Sequence, residues 1–246
     1  MNPPVRFDGW ERGAASGASL HIYGATHLRV IFYIDGFNLY NGLFKNGTNP
    51  VQSRYKWLDL SAMCNLIGAP DETVTVKYFT ARVSNTQRDP YQRNRQEVYW
   101  RALRTLSNPA IQLIEGKFMR VEKSGVVKRV LHGRADTDAL VRIETFEEKG
   151  SDVNIAVELV ADGLLNGFDR AYVISNDSDL CGAIEKVIKV AQREVHVINP
   201  TTRMSFQLER VATRYRGLSH DVVQSCEFPD TIVIPGGRIT RPLNWT

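Results

Sequence analysis

Residues 171–180 read AYVISNDSDL, a short apolar run that stops abruptly at a polar turn containing two aspartates. The apolar part has the length and the β-branched character of a buried strand, and Asp177 and Asp179 follow it directly. A second run of this kind, RVIFYI at residues 29–34, is followed by Asp35. In open parallel sheets, binding and catalytic groups collect at the carboxyl ends of the strands. Both acidic turns are therefore candidate parts of one functional site.

Predicted strands and helices alternate around these two runs. Further strands are predicted at residues 73–83, 110–122 and 194–200, and helices at residues 89–109, 151–167, 177–192 and 205–218. Alternating elements with short connections are typical of a parallel sheet that is covered on both faces. The sequence therefore predicts an α/β protein, a three-layer α/β/α sandwich with a mostly parallel central sheet.

Composition divides the chain into three parts. Residues 1–28 are rich in Gly, Ala and Ser without periodicity, and are predicted to be a disordered leader. Residues 29–218 carry the alternating pattern and form the main domain. Residues 219–246 contain several Pro and Gly and are predicted to be an extended C-terminal tail. The sequence does not decide between three roles for this tail: it could extend the sheet, dock onto the domain or mediate a homodimer.

The bulk composition excludes several classes of protein. The 246 residues are 43% hydrophobic and 24% charged, which is ordinary for a globular protein. The three cysteines form no CxxC pair, which favours free thiols and a cytoplasmic location. The sequence contains no run of eighteen apolar residues, so no membrane span is predicted.

Positive charge is concentrated in the middle of the chain. Residues 82–134 contain twelve Lys and Arg against four acids, a net charge of +8, whereas the whole chain carries only +4. Such asymmetry favours an anionic partner, and nucleic acid is the leading candidate. The alternative is a solvated helix face that binds nothing.

Four carboxylates are expected to share one cavity. Asp35, Asp177 and Asp179 follow strands, and Asp152 lies at the predicted start of a helix. Clustered carboxylates take up protons or bind a cation, and all-oxygen ligands without His or Cys favour Mg²⁺ or Mn²⁺ over zinc. Such an ion can orient an attacking water and stabilise a phosphodiester in its transition state. Each acid also has an ordinary structural alternative as a turn or helix-cap residue.

Three motifs, in this order, resemble the NYN domain, the family of LabA-like proteins within the PIN-like nuclease superfamily. They are YIDGFNLYNG at residues 33–42, EEKGSDVNIAVELVADG at 147–163 and AYVISNDSDL at 171–180. The resemblance covers roughly residues 29–218. It implies a PIN-like fold and a divalent-metal-dependent ribonuclease, with Mg²⁺ or Mn²⁺ as cofactor and RNA, single-stranded or structured, as partner.

The resemblance also implies residue roles. Asp35, Asp152, Asp177 and Asp179 would be the catalytic metal ligands, and Asn38 would hold a water or a phosphate. Ser175 would line the pocket, and many family members have Gly where this chain has Asn176. The candidate RNA contacts are Lys149, Arg82, Arg93 and Arg95, while Phe37 and Tyr40 are candidates for base stacking, with core packing favoured for Phe37.

Other functions remain in competition with this hypothesis. A non-catalytic RNA-binding or regulatory scaffold and a metal-dependent nuclease acting on DNA both fit the same residues. A phosphatase with an aspartate nucleophile would need a second Asp two residues after Asp35, where this chain has Phe37. A nucleotide-binding module is disfavoured because the sequence contains neither GxxxxGK[ST] nor a GxGxxG after a strand.

Overall fold

A computed structural model describes residues 27–44, 53–70, 72–87, 89–131 and 134–245. The predicted disordered leader, residues 1–28, lies outside this range except for its last two residues. Of these, Leu28 already belongs to the first strand.

A seven-stranded sheet runs through the described part of the protein. Its strand order is β4-β3-β2-β1-β5-β6-β7, in which neighbouring strands are parallel except for the antiparallel pair β3–β4. This confirms the mostly parallel central sheet. The strands are β1 (Leu28–Asp35), β2 (Glu72–Ala81), β3 (Ile111–Leu131), β4 (Arg134–Lys149), β5 (Arg170–Ile174), β6 (Glu194–Asn199) and β7 (Arg214–Gly217).

Helices cover both faces of the sheet, so the protein is a three-layer α/β/α sandwich, as the sequence predicted. One face packs against α1 (Gly36–Phe44), α2 (Leu60–Ile67), α3 (Gln92–Leu106) and α7 (His220–Gln224). The other face packs against α4 (Ser151–Leu164), α5 (Cys181–Lys189) and α6 (Phe206–Val211). Along β1, Phe32 and Ile34 join the first core and Ile31 and Tyr33 the second, as expected for a central strand. Within the described ranges, no helix has the length and apolarity needed to cross a membrane.

The strand order reverses direction beside β1. From β1 the chain builds β2 and β3 on one side, and later builds β5, β6 and β7 on the other. A crevice forms at such a reversal, at the carboxyl ends of the two strands that flank it. Asp35 ends β1, and Ser175 follows β5. The topology therefore brings the two acidic turns of the sequence to the same crevice.

The third predicted strand is longer than expected. β3 pairs with β2 from Ile111 to Gly116 and with β4 from Lys117 to Leu131. From the sequence this strand was expected to end at residue 122, and β4 was not expected. Six of the Lys and Arg of the basic segment therefore lie on a two-stranded ribbon, and four lie on α3.

The C-terminal segment folds back onto the domain. Residues 219–246, predicted as an extended tail, contain α7, the hairpin of β8 (Thr231–Ile234) and β9 (Gly237–Thr240), and a 3₁₀ turn at Leu243–Trp245. Ile232 and Ile239 face each other across the hairpin and are buried in the core beside α3. The Trp57 indole N–H donates to the Pro229 carbonyl at 2.9 Å. Of the three open roles, docking onto the domain is the one that the structure shows.

Buried His196 should make stability depend on pH. Its side chain on β6 is 6% exposed and packs edge-on against Tyr172. Burial, together with the charge of Arg170, lowers the pKa of His196 from 6.5 to about 4. Between pH 6.5 and pH 4 the unfolded chain therefore binds more protons at His196 than the folded protein does. The contribution of neutral His196 to the free energy of unfolding is thus complete above pH 6.5 and is lost toward pH 4. The full loss corresponds to about 3 kcal/mol.

Urea unfolding of the wild type and of His196→Leu between pH 4 and pH 7.5 measures this contribution. The difference in unfolding free energy between the two proteins should shift by about 3 kcal/mol in favour of the variant as the pH falls. Carboxylates that titrate in the same range cancel in the difference. A difference that stays constant with pH would show that His196 is not held neutral by the fold.

Candidate active site at the carboxyl ends of β1 and β5

Asp35 is a buried carboxylate at the centre of the crevice. It is 4% exposed, its Oδ1 accepts the Asn38 backbone N–H at 2.9 Å, and its Oδ2 accepts the Ser175 hydroxyl at 3.0 Å. Helix α1 begins at the next residue, Gly36, where a Cβ would lie 2.7 Å from the Phe79 carbonyl oxygen. Glycine therefore allows the helix to start directly at the strand end, and its first turn holds the carboxylate in place.

Ser175 connects the two acidic turns. Its Oγ donates to Asp35 and accepts the backbone N–H of Asp177 at 3.1 Å. Asp177 is half-buried, and its Oδ1 accepts the Asp179 backbone N–H at 2.9 Å, which caps the 3₁₀ turn at Ser178–Leu180. The capping role considered for Asp177 is therefore present, but it uses one carboxylate oxygen of two. Asp179 is exposed at the edge of the crevice.

Asn38 and Asn176 connect α1 to the loop after β6 and to β7. The Asn38 side-chain oxygen accepts the Asn176 backbone N–H at 3.0 Å. The Asn176 amide donates to Thr201 Oγ1 at 3.0 Å and to the Arg203 carbonyl at 2.8 Å, and its oxygen accepts the Tyr215 hydroxyl at 3.0 Å. A glycine could make none of these three side-chain contacts. Asn176 therefore holds the loops after β5 and β6 together.

Asn176→Ala should consequently destabilise the protein by about 2 kcal/mol, because it removes three side-chain hydrogen bonds. The measurement is the midpoint of urea unfolding at constant slope. Asn94→Ala, at an exposed position of α3, is the matched control and should change stability by less than about 0.5 kcal/mol. Equal effects of the two substitutions would contradict the connecting role of Asn176.

Asp152 lies at the N-terminus of α4. It is half-buried in the first turn of this helix, which follows Gly150 in the left-handed conformation at φ 96°. Helix α4 contacts β1 and the 3₁₀ turn that carries Asp179. The free amides and the dipole of a helix N-terminus stabilise an ionised carboxylate at such a position.

The side chains of the crevice fit a magnesium-type ion in their chemistry. They offer carboxylate, amide and hydroxyl oxygens, which are the ligands that Mg²⁺ and Mn²⁺ prefer. Among the residues that the structure describes, no three Asp, Glu, His or Cys side chains are grouped as a metal-binding set, so the expected cluster of Asp35, Asp152, Asp177 and Asp179 around one ion is not formed. Mg²⁺ commonly uses only one or two carboxylates and completes its shell with water and substrate phosphate. Asp35 and Asp177, which lie in the two turns that the Ser175 hydroxyl connects, match that smaller number.

The predicted RNA-binding arginines are engaged in ion pairs. Arg82 pairs with Glu97 at 3.0 Å, and Arg93 pairs with the same carboxylate at 3.2 Å. Arg95 pairs with Asp89. The positive charge of this surface is therefore smaller than the sequence count implies. The fourth candidate, Lys149, is an exposed residue at the end of β4, opposite Lys117.

A cavity of about 400 Å³ opens next to the acidic site, and we call it the ring pocket. Burial raises the pKa of Tyr78 to about 12; a hydrogen bond with Thr80 opposes this rise, and the charge of Asp35 adds to it. Tyr78 thus lines the pocket and lies near the buried carboxylate. Six aromatic side chains line the pocket: Phe37, Tyr40, Tyr78, Tyr99, Trp100 and Trp245.

Two of these six side chains, Phe37 and Tyr40, were predicted from the sequence to lie near the site, because they follow the acidic turn. Phe37 is half-buried and lines the pocket, rather than lying only in the core. Trp245 gave no local signal, since its place in the pocket depends on the docking of the C-terminal segment. The lining cations Lys56 and Arg95 complete the pocket.

Comparison with known proteins gives distant matches. The chain is 27% identical over 243 residues to an enzyme, 6-hydroxy-3-succinoylpyridine 3-monooxygenase HspA of Pseudomonas putida, covering 89% of this chain and 75% of that protein. A crystal structure of a Vibrio parahaemolyticus protein of unknown function covers 81% of this chain and 98% of its own, at 14% identity and a TM-score of 0.47. No model of a known protein family matches the chain.

Proposed function

We propose that the protein is a divalent-metal-dependent ribonuclease that hydrolyses RNA phosphodiester bonds at the crevice between β1 and β5. The observation that carries the proposal is the link from the Asp35 carboxylate through the Ser175 hydroxyl to the backbone N–H of Asp177, which ties the two acidic turns together at the strand-order reversal. The three NYN-like motifs support it, because they supply Asp35, Asp152, Asp177 and Asp179.

The residues of the crevice have distinct roles in this proposal. Asp35 and Asp177 would hold one Mg²⁺ or Mn²⁺, which supplies positive charge for the phosphate oxygens and polarises a water. Ser175 and the Asn38 backbone orient the Asp35 carboxylate through the hydrogen bonds described above. Asp152 adds negative charge at the edge of the site and helps to attract the cation.

RNA is the substrate that we propose. The sequence between residues 82 and 134 is basic, and most of its Lys and Arg lie on α3 and on the β3–β4 ribbon. Contacts of Lys and Arg with phosphates give affinity that falls with salt, with little sequence choice. The ion pairs of Arg82, Arg93 and Arg95 lower the expected number of such contacts, so binding should be moderate.

The test is cleavage of end-labelled single-stranded RNA and of DNA with the same sequence, in Mg²⁺, Mn²⁺ or EDTA. Cleavage of RNA should require the metal and should be lost in Asp177→Asn. Asp221→Asn, at an exposed position of α7, is the matched control and should cleave like the wild type. Cleavage by Asp177→Asn at the normal rate would overturn the site. RNA binding without cleavage by the wild type would favour the scaffold, and cleavage of DNA alone would favour a deoxyribonuclease.

A second candidate is the oxygenation of a small aromatic acid. The distant relative is a monooxygenase that is named for a hydroxypyridine, and the ring pocket offers aromatic walls with Lys56 and Arg95. Monooxygenation places one oxygen atom of O₂ in the product and reduces the other to water with two electrons from a donor. The discriminating assay is oxygen consumption with 6-hydroxy-3-succinoylpyridine and reduced nicotinamide. Substrate-dependent consumption would favour this candidate over the nuclease.

A further inference from the structure

The ring pocket and the acidic site share the first turn of α1. Asp35 is the last residue of β1, and the next residues, Gly36 and Phe37, already line the pocket, followed one turn later by Tyr40. The Tyr78 ring lies against Gly36, where a Cβ would come within 2.7 Å of it, and it is close enough to Asp35 for the carboxylate charge to act on its phenol. A ligand in the pocket therefore lies beside the carboxylate that the proposed function places at the phosphodiester.

The aromatic walls are held in fixed positions. The Tyr99 hydroxyl donates to the Leu58 carbonyl at 2.8 Å. The Trp245 ring packs edge-on against Tyr99, with centroids 5.9 Å apart, and against Trp57 at 6.3 Å. Rings that are already ordered lose little conformational freedom when they stack on a ligand. Flat, preorganised walls of this kind suit a flat ligand.

Hydrogen bonds also order the polar rim of the pocket. The Gln96 side chain accepts the Val83 backbone N–H at 2.9 Å and donates to the Ala81 carbonyl at 2.9 Å. Gln92 donates to the Ser84 carbonyl in the same connection between β2 and α3. This connection therefore forms a fixed edge with hydroxyl and amide groups, which can contact the polar edge of a heteroaromatic ring.

Charge and volume restrict the ligand further. Among the described residues of the lining, the charged ones are Lys56, Arg95 and Asp89, a net charge of +1, which favours a ligand with a negative group. The cavity of about 400 Å³ lies in the range of small-molecule sites, of about 300–1,000 Å³. That volume is sufficient for one nucleotide.

We propose that the ring pocket receives one unpaired base of the RNA, next to the phosphodiester that is cut. This inference rests on the proposed function and adds a substrate class to it, namely single-stranded RNA read at one base position. The base stacks between the aromatic walls, while its phosphate faces the cations of the rim. Duplex RNA is a poor substrate, because a paired base cannot enter the pocket.

The first test measures binding without cleavage. Trp100 and Trp245 line the pocket, so nucleoside monophosphates should quench tryptophan fluorescence saturably, whereas ribose 5-phosphate, which lacks a base, should not. Tyr40→Ala should weaken nucleotide binding about 5- to 100-fold, in line with the stacking energy of one base. Tyr91→Ala, an exposed tyrosine outside the pocket, is the matched control and should bind like the wild type.

The second test measures cleavage. A short RNA is prepared as a set in which a single abasic nucleotide moves along the strand. An abasic nucleotide at one position, next to the cut, should slow cleavage by the wild type about 10-fold or more. Tyr40→Ala should cleave that RNA at the same rate as the RNAs with the abasic nucleotide elsewhere. The same RNA annealed to its complement should be cut at least about 10-fold more slowly than the single strand.

The outcomes separate the pocket from the proposed function. RNA cleavage with neither nucleotide quenching nor an abasic effect overturns the pocket and leaves the nuclease standing. Saturable nucleotide quenching that Tyr40→Ala weakens supports the pocket even if no RNA is cut, in which case the nuclease is what fails. Quenching by 6-hydroxy-3-succinoylpyridine but by no nucleotide overturns the base site and points to a small aromatic acid. Quenching by ribose 5-phosphate that equals the quenching by nucleoside monophosphates shows phosphate binding only, and it also overturns the base site.

Discussion

Asp35→Asn is expected to lower the rate of RNA cleavage at least about 1,000-fold while the protein stays folded. A loss of this size corresponds to about 4 kcal/mol of transition-state stabilisation, which is what removing a metal ligand from a hydrolytic site typically costs. The amide is nearly isosteric with the carboxylate and can still accept the Asn38 backbone N–H through its oxygen. On its other side, the Ser175 hydroxyl can turn to accept from the new NH₂ group.

Single-turnover cleavage of end-labelled RNA measures this loss, and thermal unfolding of the same samples reports on the fold. The Tm of Asp35→Asn should lie within a few degrees of the wild type, which separates lost chemistry from lost structure. Asp221→Asn controls for the removal of one negative charge elsewhere. Cleavage within 10-fold of the wild-type rate would contradict the role given to Asp35.

Lys77→Met is expected to destabilise the protein by about 2–4 kcal/mol, the largest effect on stability that we predict outside the apolar core. Lys77 is a cation on β2 and is only 7% exposed, and its Nζ lies 2.6 Å from both Glu158 and Asp162 on α4. Burial lowers the pKa of Lys77, but the bonds to the two carboxylates outweigh it and raise the pKa overall. Removing the cation leaves two carboxylates close together on a partly buried surface.

Urea unfolding at pH 7 tests this prediction. Lys77→Arg should recover part of the stability, because it restores the charge. Lys189→Met breaks a surface pair with Glu185 and should cost less than about 0.5 kcal/mol. A loss below 1 kcal/mol for Lys77→Met would show that α4 does not depend on this contact.

The Lys77 contact also matters for the site, because α4 carries Asp152 in its first turn. Tyr33 on β1 donates to Asp162 at 2.5 Å, so the same helix is fixed to both central strands. We therefore expect Lys77→Met to reduce cleavage as well as stability, through displacement of Asp152 rather than through contact with RNA.

Local sequence patterns predicted β1, β5 and the polar turns that follow them. The apolar runs before Asp35 and Ser175 are short, continuous and followed by polar turns, which is how buried parallel strands read in a sequence. Once the strands are parallel and adjacent, their ends must meet. The structure bears this out, since Ser175 contacts both turns.

Features that depend on long-range contacts could not be predicted in this way. Lys77 reads as a polar interruption of a strand, and its partners lie more than 80 residues further along the chain. The ring pocket needs Trp245, which reaches Tyr99 only because Ile232 and Ile239 bury the C-terminal hairpin. β4 lies in a segment with many charges, where alternation with apolar residues is weak, so its strand went unrecognised.

We propose that Asp35 and Asp177 together hold one divalent metal ion, and titration of the protein with Mn²⁺ measures this binding. Binding is followed by the loss of the free Mn²⁺ signal in electron paramagnetic resonance, with Mg²⁺ as the competitor. One saturable site is expected in the wild type and in Asp221→Asn, with affinity at least about 10-fold weaker in Asp35→Asn and in Asp177→Asn. Equal Mn²⁺ binding by the wild type and both site variants would show that these two carboxylates do not hold the ion.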